Sequence, residues 1–205
     1  MPIVTISDTV GWINDERGFG FVLPQGKGIG IQGLEYSGKN SNLSYAIEQQ
    51  GDLKEWLSIF NHLYLEKAHP RIAFLLFSAL LPLFANYHAT FEGFTINITP
   101  DYSEGKASSN GKTTIQQLML SLQGSVPKWH TNWNKTAASI EDYLHTNIGA
   151  YFDDTSKTKM TSNELEDMIY SISDAQSRGT KAQVSRDRKP ILYSTGEQDF
   201  LKHTG

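Results

Sequence analysis

Ser108-Ser109-Asn110-Gly111-Lys112-Thr113-Thr114 follows an apolar, β-branched run, Phe94-Thr95-Ile96-Asn97-Ile98, and precedes a helical pattern from Thr113 to Gln123. Strand, glycine-containing loop and helix in that order form the setting of a phosphate-binding loop. Successive backbone N–H groups at a helix start cradle an anion, and the helix dipole adds to them. A lysine in the position of Lys112 reaches β- and γ-phosphates, and a hydroxyl in the position of Thr113 holds Mg²⁺. The loop departs from the full G-x-x-x-x-G-K-[ST] pattern. Lys106 stands where its first glycine belongs, Gly105 lies one residue early, and the lead from the strand is long.

Downstream, the pattern alternates strands and helices, the signature of an α/β sheet. Helix 113–123 is expected to end at Gly124 as its C-cap, and a short strand is expected near Trp129 to Trp133. Ser139-Ile140-Glu141-Asp142 reads as a capping box opening a helix to about His145. Next comes a strand from Ile148 to Phe152, ending in Asp153-Asp154. A second capping box, Thr161-Ser162-Asn163-Glu164, opens a helix whose apolar face is Leu165, Met168, Ile169 and Ile172. A basic stretch from Gln176 to Lys189 leads to a last strand, Ile191 to Thr195.

An apolar strand ending in acids is what a Mg²⁺-nucleotide site needs opposite its phosphate loop. Asp153 would hold Mg²⁺, and Asp154 would orient an attacking water. Thr195, or Ser194 beside it, would contact that water or the γ-phosphate. Arg178 heads a basic group with Lys181, Arg186, Arg188 and Lys189. It would serve as an arginine finger toward a neighbouring subunit, contact nucleic-acid phosphates, or simply be solvated.

Upstream, residues 1–50 form a β-rich segment and 51–205 the helical lead-in and core. Val4 to Trp12, Gly18 to Leu23 and Gly28 to Leu34 read as short strands, and Gly38 to Leu43 as a polar loop. Asp52 to Lys67 reads as an amphipathic helix with Leu53, Trp56, Leu57, Phe60 and Leu63/Tyr64 on one face. Pro70 starts another helix. The run Ile72 to Ala85 reads as a buried core helix kinked or ended near Pro82. It is shorter than the ~20 residues a bilayer span requires.

The whole sequence sets outer bounds. Its 205 residues, 39% hydrophobic and 11% aromatic, support a real core. A net charge of −4 gives no global nucleic-acid signal, so DNA or RNA contact would need local patches. With no cysteine there is neither a disulfide framework nor a thiolate zinc site. The six histidines lack metal-ligand spacing, which leaves nucleotide-bound Mg²⁺ as the expected metal. The N-terminus lacks secretory features, and a cytoplasmic protein is expected.

Taken together, several motifs resemble the domain of unknown function 927, a helicase-like P-loop domain of phage, plasmid and other mobile-element proteins. They are Gly51-Asp52-Leu53-Lys54-Glu55-Trp56, the apolar helix through Leu81-Pro82-Leu83, and the loop 108–114. Trp133-Asn134-Lys135-Thr136 with Ile140-Glu141, the Asp153-Asp154 strand and Ser194-Thr195-Gly196-Glu197 complete the set. Gly11-Trp12 and Phe21-Val22-Leu23-Pro24 match its N-terminal part. The resemblance implies a RecA-like ATPase core, C-terminally reduced or cut short, with an N-terminal β-rich and helical cap. It carries Lys112 and Thr113 over as phosphate and Mg²⁺ ligands and Asp153 as the metal-side acid. Asp154 stands where the family has Glu, which puts ATP binding ahead of hydrolysis. DNA is the implied partner, and the lack of a clearly placed arginine in cis leaves room for a homo-oligomer.

Two other readings stand beside this one. Val10 to Val22 is similar to the first strands of cold-shock domains, and Trp12, Phe19 and Phe21 would then stack on bases. Alternatively, these aromatics pack a hairpin against the core. A nucleotide-binding scaffold without turnover is the remaining possibility.

Overall fold

The computed structural model describes residues 5–7, 10–15, 18–22, 28–30, 34–36, 51–62, 70–84, 93–100, 111–124, 126–144, 149–173 and 191–197. The loop 101–110, with Ser108, Ser109 and Asn110, lies outside the described residues. So do the polar loop 38–43, the far end of the 52–67 helix and the basic stretch with Arg178.

Four parallel strands form the central sheet: β6 (Phe94–Ile98), β7 (Thr131–Asn132), β8 (Ala150–Asp153) and β9 (Ile191–Thr195). Their spatial order is β6-β9-β8-β7. The last strand in sequence thus inserts between the strand that feeds the loop and the acidic strand. All five residues of β9 are buried, as an interior parallel strand with both faces covered requires. The register pairs Ile98 with Thr195 and Phe152 with Ser194. All four C-terminal strand ends therefore open at one edge, the usual place for a ligand site in such sheets.

Helices cover the sheet. The helix α4 (Lys112–Ser121) buries Gln116, Met119 and Leu120 against β8 and β9. It ends at a C-cap on Leu122, not at the expected Gly124. The N–H of Gly124 still reaches back to the Leu120 carbonyl at 3.0 Å, but without a left-handed glycine. The short strand expected near Trp129 to Trp133 is the two-residue β7, preceded by a short helix the sequence reading did not foresee, α5 (Val126–Trp129). Pro127 in its first turn favours the helical start.

Helix α6 (Ala137–Leu144) begins before the expected capping box. The Ser139 N–H donates to Thr136 Oγ1 at 3.4 Å, so Thr136 takes the cap and Ser139 lies inside the helix. The second capping box forms as expected on α7 (Ser162–Ser173). There the Thr161 N–H donates to Glu164 Oε2 at 2.8 Å, and the Glu164 N–H returns to Thr161 Oγ1 at 3.3 Å.

The lead-in helix α1 (Leu53–Phe60) is capped by Asp52, whose Oδ1 accepts the Lys54 N–H at 2.6 Å. The run 72–85 is two helices, α2 (Pro70–Ser78) and α3 (Leu81–Phe84). Its expected burial is confined to one face. Leu76 and Ala79 are fully buried, while Phe74 is 64% and Phe84 60% exposed. The break falls before Pro82, which sits in the first turn of α3, where a missing N–H costs nothing.

The N-terminal segment contributes β1 (Thr5–Ser7) paired in parallel with β5 (Leu34–Tyr36). A separate antiparallel sheet joins β2 (Gly11–Asp15), β3 (Gly18–Val22) and β4 (Gly28–Ile29). Val10 and Val22 are fully buried, Val10 within the main core cluster.

Candidate functional site

At the C-terminal edge of the sheet, three sequence-named oxygens converge. Thr113, in the first turn of α4, donates its hydroxyl to Asp153 Oδ1 at 3.0 Å. Thr195, the last residue of β9, donates to the same carboxylate oxygen. The Asp154 N–H donates to Thr195 Oγ1 at 3.0 Å. Forty residues of sequence separate Thr113 from Asp153, so only the β6-β9-β8 order brings them together.

Local conformation explains the placement of α4. Gly111 caps the helix at φ 72°, in the left-handed region. A Cβ there would meet nothing within 4 Å. Glycine is therefore required by the backbone and not by crowding. The turn delivers Lys112 and Thr113 as the first two helical residues, with their N–H groups at the positive end of the dipole.

Asp154 behaves differently from its neighbour. It adopts φ 61° and caps the 3₁₀ turn Thr155–Lys157. Its Oδ1 accepts the Ser156 N–H at 3.2 Å, and Lys157 Nζ lies 2.8 Å from Oδ2. Partial burial pushes its carboxyl upward, but the bonds from Lys157 and Ser156 outweigh this and hold it below the usual carboxylate range.

Beneath the oxygen cluster the sheet is tied by buried polar contacts. Trp133 Nε1–H donates to Ser194 Oγ at 2.9 Å, so Ser194 faces the core while Thr195 faces Asp153. Tyr151 and Tyr193 stack with centroids 4.6 Å apart. The Tyr193 hydroxyl donates to the Ser78 carbonyl on α2. Burial pushes both phenols above their ordinary titration range, so each stays neutral. Two residues escaped the sequence reading: Gln116, one helical turn after Thr113, and His130, whose Nε2 lies 2.8 Å from the Gln116 Oε1.

The donor set at the edge is a carboxylate and two hydroxyls, all hard oxygens. That set fits Mg²⁺, which binds through one or two carboxylates together with substrate phosphates. Among the described residues no group of three or more His, Cys, Asp or Glu could hold a metal. A cation here would therefore need oxygens from a ligand as well.

Of the N-terminal aromatics, Trp12 stacks on Phe19 at 4.6 Å and meets Phe21 edge-on at 5.1 Å. The Trp12 Nε1–H donates to the Leu83 carbonyl of α3 at 2.7 Å, which anchors the hairpin to the helical layer. No described helix is long and apolar enough to cross a membrane.

These features define a mixed α/β protein with a polar cluster at the open edge of a parallel sheet. The chain belongs to the family of the domain of unknown function DUF927, whose model matches residues 1–189. It is similar to the solved structure of SCCmec type IV Cch, an active helicase, with a TM-score of 0.70 over 99% of this chain at 22% identity. At that identity the likeness is one of fold. The chain spans 38% of the length of that helicase chain. Among curated proteins none matches it in sequence.

Proposed function

We propose that the chain is a Mg·ATP-binding P-loop domain with a RecA-like core, part of a helicase-related protein that handles DNA and hydrolyses ATP. The observation that carries this reading is the Thr113–Asp153 hydrogen bond across the mouth of the sheet. A phosphate-loop hydroxyl and a strand-end carboxylate in direct contact occupy the two protein positions a nucleotide-bound Mg²⁺ uses. Bound there, Mg²⁺ would neutralise charge on the phosphates. Lys112 and the amides of 111–114 would hold the phosphates, with Ser108, Ser109 and Asn110 completing the cradle. Thr195 would report the state of the cluster to β9.

The helicase context rests on family membership and on the likeness to an active helicase. Contact with DNA, assembly into a homo-oligomer with Arg178 as a finger, and a cytoplasmic setting belong to the same proposal. A second reading, nucleotide binding without turnover, has its own support. The Asp154 carboxylate is already engaged by Ser156 and Lys157 within its own turn. ATP hydrolysis by wild type and by Asp154→Glu separates the two. Activity in the wild type supports the first reading, and activity only after substitution supports the second.

Binding itself is tested by thermal unfolding with and without Mg·ATP. At about 100 times its Kd a ligand adds roughly 2.7 kcal/mol. The wild type should gain that much and Lys112→Ala much less. No gain in the wild type removes the nucleotide reading.

A further inference from the structure

Gln116 is fully buried in the middle of α4, one turn after Thr113 and on the same face. Its side-chain amide donates to two main-chain carbonyls, Phe152 at 3.0 Å and Tyr193 at 2.9 Å. Phe152 immediately precedes Asp153, and Tyr193 stands two residues before Thr195. Carbonyls only accept, so the NH₂ end of Gln116 must face them and its Oε1 must face away. That oxygen meets His130 Nε2 at 2.8 Å. Since Oε1 cannot donate, His130 must carry its hydrogen on Nε2. The main chain of His130 is itself held, its backbone N–H donating to the Val126 carbonyl at 3.0 Å, just before β7.

One amide therefore joins four pieces of chain: the phosphate-loop helix, the acidic strand, the sensor strand and the entry to β7. A buried amide whose NH₂ group and oxygen are all engaged in one arrangement resists sliding, because any shift leaves a buried polar group unpaired. We infer that Gln116, oriented by His130, is a positioning residue that sets the distance between Thr113 and the Asp153–Thr195 pair, and so governs the Mg²⁺-dependent part of nucleotide binding. This rests on the nucleotide reading given above. Supporting groups of this kind, when removed from metal sites, cost 10–100-fold in metal affinity or activity.

The test compares ATP affinity in Mg²⁺ and in EDTA for wild type, Gln116→Met and His130→Phe, with the histidine ring tautomer read by nitrogen NMR on the nucleotide-free wild type. Expected are an Nε2–H tautomer at His130 and a Mg²⁺ enhancement of ATP binding that falls about tenfold or more in Gln116→Met. Affinity in EDTA should stay close to the wild-type value. A smaller loss in the same direction is expected for His130→Phe, which leaves both carbonyl bonds intact and serves if Gln116→Met does not fold. A purely architectural role would lower the melting temperature and leave the Mg²⁺ enhancement unchanged, and that result overturns the inference. An Nδ1–H tautomer at His130 overturns it as well. A wild type that ignores ATP while keeping the Nε2–H tautomer refutes the nucleotide reading and reduces this bond to architecture alone.

Discussion

Thr113→Val removes one hydroxyl and almost no volume. Both residues are β-branched, so helix propensity barely changes. What is lost is the hydrogen bond to Asp153 Oδ1 at 3.0 Å. A bond to a charged acceptor is worth about 1.5–3 kcal/mol. The low end applies, because the site is only partly buried and Thr195 still donates to the same oxygen. For a chain of this size each kcal/mol moves the melting temperature by about 2–4 °C. The ligand-free variant should melt about 3–6 °C below the wild type. The second effect is larger. Mg·ATP at about 100 times Kd should raise the wild type by roughly 2.7 kcal/mol, or about 5–11 °C by the same conversion. In Thr113→Val, Mg²⁺ should add almost nothing to what ATP does in EDTA. Differential scanning calorimetry in four conditions reads both numbers: no ligand, ATP with EDTA, Mg²⁺ alone and Mg·ATP. A variant with the full wild-type Mg·ATP shift would refute the assignment of this hydroxyl to the metal side of the site.

Gly149→Ala should destabilise the fold by about 1–3 kcal/mol through overpacking, read as a lower denaturant midpoint. The added Cβ would lie 2.7 Å from a ring carbon of buried Tyr193 and 3.0 Å from one of Tyr151, and a variant as stable as wild type would contradict that packing. Thr161→Ala should cost about 1 kcal/mol, the usual value of an N-cap, because it breaks the reciprocal bond with Glu164. For His130, burial depresses the ring's proton affinity more than Asp153 raises it. The unfolded chain then binds more protons between the ordinary histidine value of about 6.5 and the lower folded one, so stability falls as pH drops through that window. Subtracting the His130→Phe profile from that of the wild type should leave a slope of that sign, and a flat difference would refute it. Asp154, also depressed, contributes stability above the ordinary carboxylate range and loses it only at lower pH, so it does not overlap.

The parts of this fold legible in the sequence are those whose signals are local. Strands β6, β8 and β9, the start of α4 and the Thr161–Glu164 box each carry their own short pattern. Where a local signal is degenerate, the reading slipped. Thr136 and Ser139 are both cap-type residues three apart, and Ala137-Ala138 between them are strong helix formers. Helix α6 therefore starts at the earlier cap. In the run 72–85 apolar content pointed to complete burial, yet α2 meets the core along Ile72, Leu75 and Leu76 and leaves Phe74 exposed. Composition states how much apolar surface a helix has and not how much of it finds a partner.

The site divides along the same line. Thr113, Asp153 and Thr195 could be named from motifs, but their common contact depends on β9 lying between β6 and β8. No short window encodes that pairing, because it joins strands separated by about a hundred residues. Gln116 and His130 matched no motif, although the sequence held a usable signal. Gln116 occupies an apolar stripe with Met119 and Leu120, all buried in α4. A polar side chain on a buried stripe must satisfy its groups or destabilise the core. Near the open end of a parallel sheet, the available partners are the carbonyls of the strands whose ends form the candidate site. A buried amide one turn behind Thr113 is thus worth reading as part of the candidate site from sequence alone, on the same physical grounds as Lys112 and Thr113 ahead of it.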